Sequence, residues 1–166
     1  MSAVINVTPG NEAVLTLGQT NALSLPGATG GMVIPLMQDV TVNASPGIVR
    51  YSVLDSPSSK AFTTVNENSI SLNMLLDRET FFGLDTAGGV NTVADNGLFS
   101  TSTAKTEIHF TVAFNGATDP LVTGDTYISG KGFISGLAPT ASMEAAVFIT
   151  PMEIAVNGEL TKVVTA

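Results

Sequence analysis

A chain of 166 residues with 14 acidic and 6 basic side chains, a net charge of -8 and a charged fraction of 12% has the length of one domain and about half the roughly 25% charged residues of an ordinary globular protein. Its 44% hydrophobic content excludes a disordered chain, and its basic residues, scattered from Arg50 to Lys162, cannot form the stripe that neutralises a nucleic-acid backbone. With no cysteine, a disulfide framework, thiolate metal ligation and a cysteine nucleophile are excluded as well.

Few charges and many apolar residues leave a surface of Ser, Thr, Asn and Gly with apolar area to spare, which a second copy is the usual means of covering. Membrane insertion is not expected. The longest apolar runs, such as Met32-Val33-Ile34-Pro35-Leu36-Met37, fall far short of the ~20 residues of a spanning helix. The start of the chain, Met1 to Pro9, lacks the basic and long apolar regions of a secretory signal. Aromatic girdles of an outer-membrane barrel would have to come from a chain with no Trp and only Tyr51 and Tyr127 besides Phe.

Along the chain, Val, Ile, Thr and Phe recur with period two and are broken by Gly, Pro, Asn and Asp, the pattern of an all-β protein. Val40 and Val42 oppose Asp39, Thr41 and Asn43; Val49, Tyr51 and Val53 oppose Arg50 and Ser52; Ile70, Leu72 and Met74 oppose Ser71 and Asn73. With turns at Pro46-Gly47 and Ser56-Pro57-Ser58-Ser59, these strands predict a meander from about 36 to 76. At 77–83 the period changes: Asp77 suits an N-cap, Leu76 and Phe81 suit a hydrophobic staple, and Gly83 suits a left-handed stop. One short helix is expected there.

Residues 84–105, with Gly88-Gly89 and Asp95-Asn96-Gly97, read as a long loop, either a plain excursion or an inter-subunit contact. In the next strand, 106–114, Ile108, Phe110, Val112 and Phe114 share a core face, opposite Glu107, His109, Thr111 and Ala113. Residues 124–136 read as a strand bent or bulged at Gly130 and Gly132, and 143–150 as another strand. Met152–Val156 and Glu159–Val164 around Asn157-Gly158 predict a hairpin on a type I′ turn. There is no internal repeat or linker, so 1–166 is expected to be a single β domain.

Chemistry has little to stand on. A Ser-His-Asp triad would have to use His109, the only histidine, and no Gly-x-Ser-x-Gly elbow occurs; a surface or interface histidine is the plainer reading. One imidazole without thiolates does not make a zinc site. Gly130-Lys131-Gly132 departs from a phosphate loop in its spacing from Gly124 and in lacking Ser or Thr after the Lys; a strand kink explains it. No calcium-loop pattern is present, and solvation accounts for Asp85 and Asp95. Asn6-Val7-Thr8 and Asn43-Ala44-Ser45 match the glycosylation sequon, which without an export signal carries no weight. No catalytic residue, metal site or cofactor is assigned.

Two segments resemble the tail tube proteins of tailed bacteriophages. Residues 38–83, from Gln38-Asp39-Val40-Thr41-Val42 through Asp77-Arg78-Glu79-Thr80-Phe81-Phe82-Gly83, resemble that family's first sheet and connecting helix. Residues 124–164, with Gly130-Lys131-Gly132-Phe133-Ile134-Ser135-Gly136, Pro139-Thr140-Ala141-Ser142, an Ala-Val-Phe strand and a final Gly-Glu-Leu-Thr, resemble its closing strands. The resemblance implies an antiparallel β-sandwich or barrel with one short helix, assembling into hexameric rings that stack into a hollow tube. DNA passes through that tube during ejection, and no catalysis is involved. It further implies a location in the virion tail after synthesis in the host cytoplasm. Implied partners are other copies of the chain, a tail sheath, a tape measure, and baseplate or terminator proteins. The loop at 84–105 would reach a neighbouring subunit or ring.

The composition agrees with this picture: an acidic excess suits a conduit along which a polyanion slides, and strands whose edges pair with neighbours need no Lys or Pro gatekeepers. Alternatives are a capsid decoration protein, a lipocalin-like ligand-binding barrel and, least supported, an enzyme. Sequence does not assign lumen-facing residues, because a one-residue register change swaps the faces of a strand.

Overall fold

The computed structural model describes residues 13–26, 28–34, 36–52, 59–84, 92–114, 123–140 and 149–165. Their β-branched and alternating segments form strands, where such side chains pack well on a pleated surface. In chain order the elements are β1 (Val14–Gly18), β2 (Met32–Val33), β3 (Met37–Asn43), β4 (Ile48–Tyr51), β5 (Lys60–Thr63), β6 (Ser69–Leu75), α1 (Arg78–Phe82), α2 (Val93–Thr103), β7 (Ile108–Ala113), β8 (Thr126–Leu137), β9 (Ile149–Val156) and β10 (Thr161–Val164). The main sheet runs β2-β1-β7-β8-β9-β6-β3, with β10 also on β8, and β4 and β5 form a separate two-stranded sheet. All pairs are antiparallel.

The sheet is rolled, and the chain itself shows why. β2 and β3 lie at opposite ends of the strand order, yet only Ile34 to Leu36 separates them in sequence, a span of about 14 Å from Val33 to Met37 at full extension. A flat sheet of seven strands would hold its edges about 29 Å apart. The connection is tied to both rims: Ile34 N–H donates to the Leu15 carbonyl at 2.9 Å, and Leu36 C=O accepts from Leu75 N–H at 3.1 Å. Inside the roll, Leu15, Leu17, Ile70, Leu72, Met74, Ile108, Phe110, Val112, Met152 and Ile154 are at most 2% exposed, joined by Val93 and Leu98 from α2. This is the all-β, antiparallel sandwich-or-barrel class expected from the pattern, and the helix expected at 77–83 is α1.

Several sequence expectations change. The meander is not formed: β3 pairs with β6, Val40 opposite Leu72 and Val42 opposite Ile70, while β4 pairs only with β5. The core selects β6, whose Ile70, Leu72 and Met74 bury together, whereas every residue of β4 and β5 is exposed. Val53 and the turn at 56–58 lie outside the described residues.

The stretch read as a loop over 84–105 contains α2. Thr92 caps it, its hydroxyl oxygen accepting from Asp95 N–H at 3.2 Å while its O–H donates to Asp95 Oδ2 at 2.7 Å. Burial of Val93 and Leu98 then anchors a sequence of modest helix propensity.

The face of β7 opposite the core is covered as well. Thr111 and Ala113 are fully buried, and over Thr111 lies the turn that follows β1, where Ser24 Oγ lies 3.3 Å from Thr111 Oγ1 and Asn21 Oδ1 accepts from Ser129 Oγ at 3.2 Å. Phe114, assigned to the core by its spacing, falls beyond the end of β7 and is exposed.

In β8 the register shift lies between Ile134 and Gly136, not at Gly130 or Gly132. Gly130 instead admits the Phe110 ring, to which a Cβ there would approach within 2.6 Å. Of the strand expected at 143–150, only Ile149 and Thr150 are described; they open β9.

The expected C-terminal hairpin is also absent. β9 and β10 lie end to end along the same side of β8, Val156 opposite Gly132 and Thr161 opposite Ser129. Five residue steps therefore run beside three, and Asn157 to Leu160 form a bulge whose first three residues are exposed while Leu160 packs back against the core. Gly158 has φ +98° but Asn157 does not share the positive φ that a type I′ turn requires at both central positions.

Candidate assembly surfaces

The sequence-level candidates for chemistry are dispersed. His109 is half-buried on the outer face of β7, opposite Gly18 on one side and Lys131 on the other. Lys131, between its two glycines, lies within β8 and forms an ion pair with Glu107 at 3.6 Å. Asp95 belongs to the cap of α2, and Asp85 lies outside the described residues. Among the described residues no group of three or more His, Asp or Glu is placed to hold a metal. What the structure does present is three surfaces with apolar or unpaired character.

The first is the β4–β5 hairpin. Thr64 N–H donates to Gly47 C=O at 2.7 Å, Glu67 N–H to Ser45 C=O at 3.2 Å, and Ser45 N–H to Asn68 Oδ1 at 3.2 Å, closing its base against the start of β6. Beyond that base, Ile48, Val49, Tyr51 and Phe62 are 43–55% exposed, and within it Val65 is 84% exposed. Tyr51 and Phe62 hold each other across the strands with ring centroids 5.9 Å apart. An isolated two-stranded hairpin is marginal in water, and this one carries contiguous apolar area that a monomer would rarely leave uncovered.

The second is the α1–α2 face. Asp77 accepts from Thr80 N–H at 2.8 Å and from the Thr80 hydroxyl at 2.7 Å, so the N-cap also buries Thr80. Phe81, Phe82 and Phe99 then cluster, with centroid separations of 4.8 to 6.3 Å. Phe82 and Phe99 remain about half exposed, beside a shallow cleft lined by Arg78, Glu79, Leu84 and Ser100.

The third is the outer face of β3-β6-β9-β8. Its cross-strand rows run Asp39–Asn73–Pro151, Thr41–Ser71–Glu153 and Asn43–Ser69–Ala155. Asp39 is fixed by Asn73, whose backbone N–H and side-chain amide donate to it at 3.2 and 2.9 Å. The charges in these rows are the carboxylates of Asp39 and Glu153; the remainder is small and neutral except where β8 continues the last row with Phe133, opposite Ala155 and 36% exposed. The face ends at β3, whose outer edge has no partner strand among the described residues and which contains neither Lys nor Pro over its seven residues. Such an edge is a template for another chain.

Neither period-two alternation nor motif spacing could locate the hairpin as a separate arm, although its signal was visible: both faces of 48–51 carry large residues, where a half-buried strand alternates.

No family model and no curated protein matches this sequence. Solved structures do. A chain from the tail of an empty gene transfer agent particle, refined with C6 symmetry, superposes with a TM-score of 0.62 at 15% identity, covering 96% of this chain and 100% of the other. The SPP1 tail tube matches with a TM-score of 0.65 at 15% identity over 95% of this chain and 80% of the other. A chain from the extended sheath–tube complex of an extracellular contractile injection system matches with a TM-score of 0.59 at 11% identity, covering 98% and 95%. At these identities the likeness is one of architecture, and the architecture of this chain is that of tail tube proteins.

Proposed function

We propose that this chain is the structural subunit of a phage tail tube, six copies closing into a ring and rings stacking into a hollow conduit for DNA. The observation that carries this reading is the pairing, within this fold, of a polar sheet face with a long unguarded edge at β3. Joining that edge to the next copy's sheet extends a small-residue, carboxylate-bearing wall from subunit to subunit and satisfies the unpaired backbone groups of β3. Asp39 and Glu153 then face the lumen and repel a passing polyanion. The β4–β5 arm and the Phe82/Phe99 face supply apolar area for contacts between copies.

The role needs no catalytic group. Its place is the virion tail, and its partners beyond its own copies belong to the classes seen around proteins of this fold: a sheath–tube complex, a tube terminator and a baseplate. A lipocalin-like role lacks its main requirement, since Phe110, Leu72, Met152 and Ile154 fill the interior that would hold a ligand.

Electron microscopy of the purified protein over a concentration series tests the proposal. Rings with sixfold averages, or tubes built from them, are expected. Monomers at every concentration, together with tails that lack the protein in purified virions, would overturn it.

A further inference from the structure

We propose that Asn157 is a deamidation site, exposed on the bulge between β9 and β10 and held in check by Glu107. Two Asn-Gly pairs fall within the described residues, and the fold treats them in opposite ways. Asn96-Gly97 sits inside α2, with Asn96 N–H donating to Thr92 C=O at 3.0 Å and Gly97 buried at the kink of the helix. Asn157 and Gly158 are both exposed, and a Cβ at Gly158 would find nothing within 4 Å.

The reaction requires only water. The Gly158 amide nitrogen bonds to Asn157 Cγ, the bond from Cγ to the side-chain nitrogen breaks, and ammonia departs with the hydrogen that Gly158 gives up. Water then opens the five-membered imide at either carbonyl, leaving aspartate or isoaspartate. A glycine at the attacking position leaves the approach unhindered, and the open surroundings admit water.

Two bonds oppose the approach. Asn157 N–H donates to Lys131 C=O at 2.7 Å, and the Asn157 side-chain amide donates to Glu107 Oε1 at 2.6 Å, fixing the group that must rotate. Glu107 is itself held by Lys131, and its negative charge disfavours the nitrogen anion that attacks. Conversion replaces a donor by a second carboxylate beside Glu107, so in the product the restraint becomes a repulsion. Because the bulge already carries two more residue steps than β8 beside it, the extra backbone atom of isoaspartate is accommodated there without shifting β9 or β10 on β8.

Incubation of the folded protein in mildly alkaline buffer, followed by peptide mapping with mass spectrometry, provides the test. Asn157 is expected to convert about tenfold faster than Asn96, the ratio that about 1.36 kcal/mol of barrier produces, and the two are expected to match in denaturant. Glu107→Ala, with its fold checked by circular dichroism, should accelerate conversion at Asn157 and leave Asn96 unchanged. Equal or faster conversion of Asn96 in the folded wild-type protein would overturn the site assignment whatever the variant does. An unchanged rate in a folded Glu107→Ala protein would overturn the restraint.

Discussion

Gly83 and Gly97 pack against each other where α1 ends and α2 kinks. Gly83 takes φ +89° as the C-cap of α1 and Gly97 takes φ +69° inside α2. A Cβ on Gly83 would overlap the Asp95 backbone, and one on Gly97 would overlap the backbone of Phe81 to Gly83. Each glycine thus meets two demands, a left-handed backbone and a contact with no room for a side chain. Gly97→Ala is expected to cost at least the ~1–3 kcal/mol of a strained backbone position, and Gly83→Ala a similar amount. Denaturant unfolding should show both as a lowered midpoint with an unchanged slope.

The β4–β5 arm makes the opposite prediction. Its exposed Tyr51–Phe62 pair contributes nothing to the core residues inside the rolled sheet. Replacing both by serine should leave global stability within the roughly ±0.5 kcal/mol typical of surface changes. Association should weaken nonetheless, because aromatic area is lost where copies meet. Sedimentation velocity separates the effects: an unchanged monomer with fewer rings or tubes is expected, whereas unchanged assembly would remove the arm from the contact.

Much of the fold was legible where a local signal and the core agreed. Ile70, Leu72 and Met74 alternate in sequence and bury in the structure, and Asp77 reads as a cap because its carboxylate is the nearest acceptor for Thr80 N–H. The errors fall where a local signal was satisfied by a different neighbour. Pro46-Gly47 ends β3, but nothing in a turn dictates that the next strand returns alongside; β6 takes that place because its apolar face fits the core. Asn157-Gly158 likewise bends the chain without reversing it, since β8 continues long enough to pair with β10 beyond the bulge. α2 was hidden by Gly97 and by the run Ser100-Thr101-Ser102-Thr103, poor helix formers that tertiary burial of Val93 and Leu98 and the bond from Thr101 Oγ1 to Gly97 C=O sustain. The assembly surfaces were legible only as a shortage of charge, because which side of a strand faces outward depends on registers that sequence does not encode locally.

Placing positive charge on the polar face tests which side lines the conduit. Glu153 and Ala155 are both exposed there on β9, away from the β3 edge, and the residues opposite them, Ser71 and Gly136, Ser69 and Phe133, are uncharged, so lysines at both positions avoid direct like-charge pairing across strands. Glu153→Lys with Ala155→Lys should still assemble, and the resulting tubes should retain short DNA in a filter assay, with binding that falls steeply as salt rises. Wild-type tubes should retain none. Variant tubes that ignore DNA would place this face away from the passage.

The bulge between β9 and β10 carries a pH dependence of definite sign. The Asn157 side-chain amide, helped by the weaker effects of Lys131 and His109, holds the Glu107 carboxyl below the usual glutamate range, against an opposing effect of burial that is second in size only to the Asn157 bond. A carboxylate with a depressed folded value contributes stability that is fully present above its unfolded value, about 4.3, and is lost as the pH falls through the lower folded value. Glu107 is a surface group, so the expected signature is local: the amide of Asn157, bonded to Lys131 C=O, should exchange faster with solvent as acid protonates Glu107, while core amides such as that of Ile154 keep their protection. Glu107→Gln removes the titration and should flatten the response of Asn157 over that window. A wild-type profile that is equally flat would show that the carboxylate does not hold the bulge.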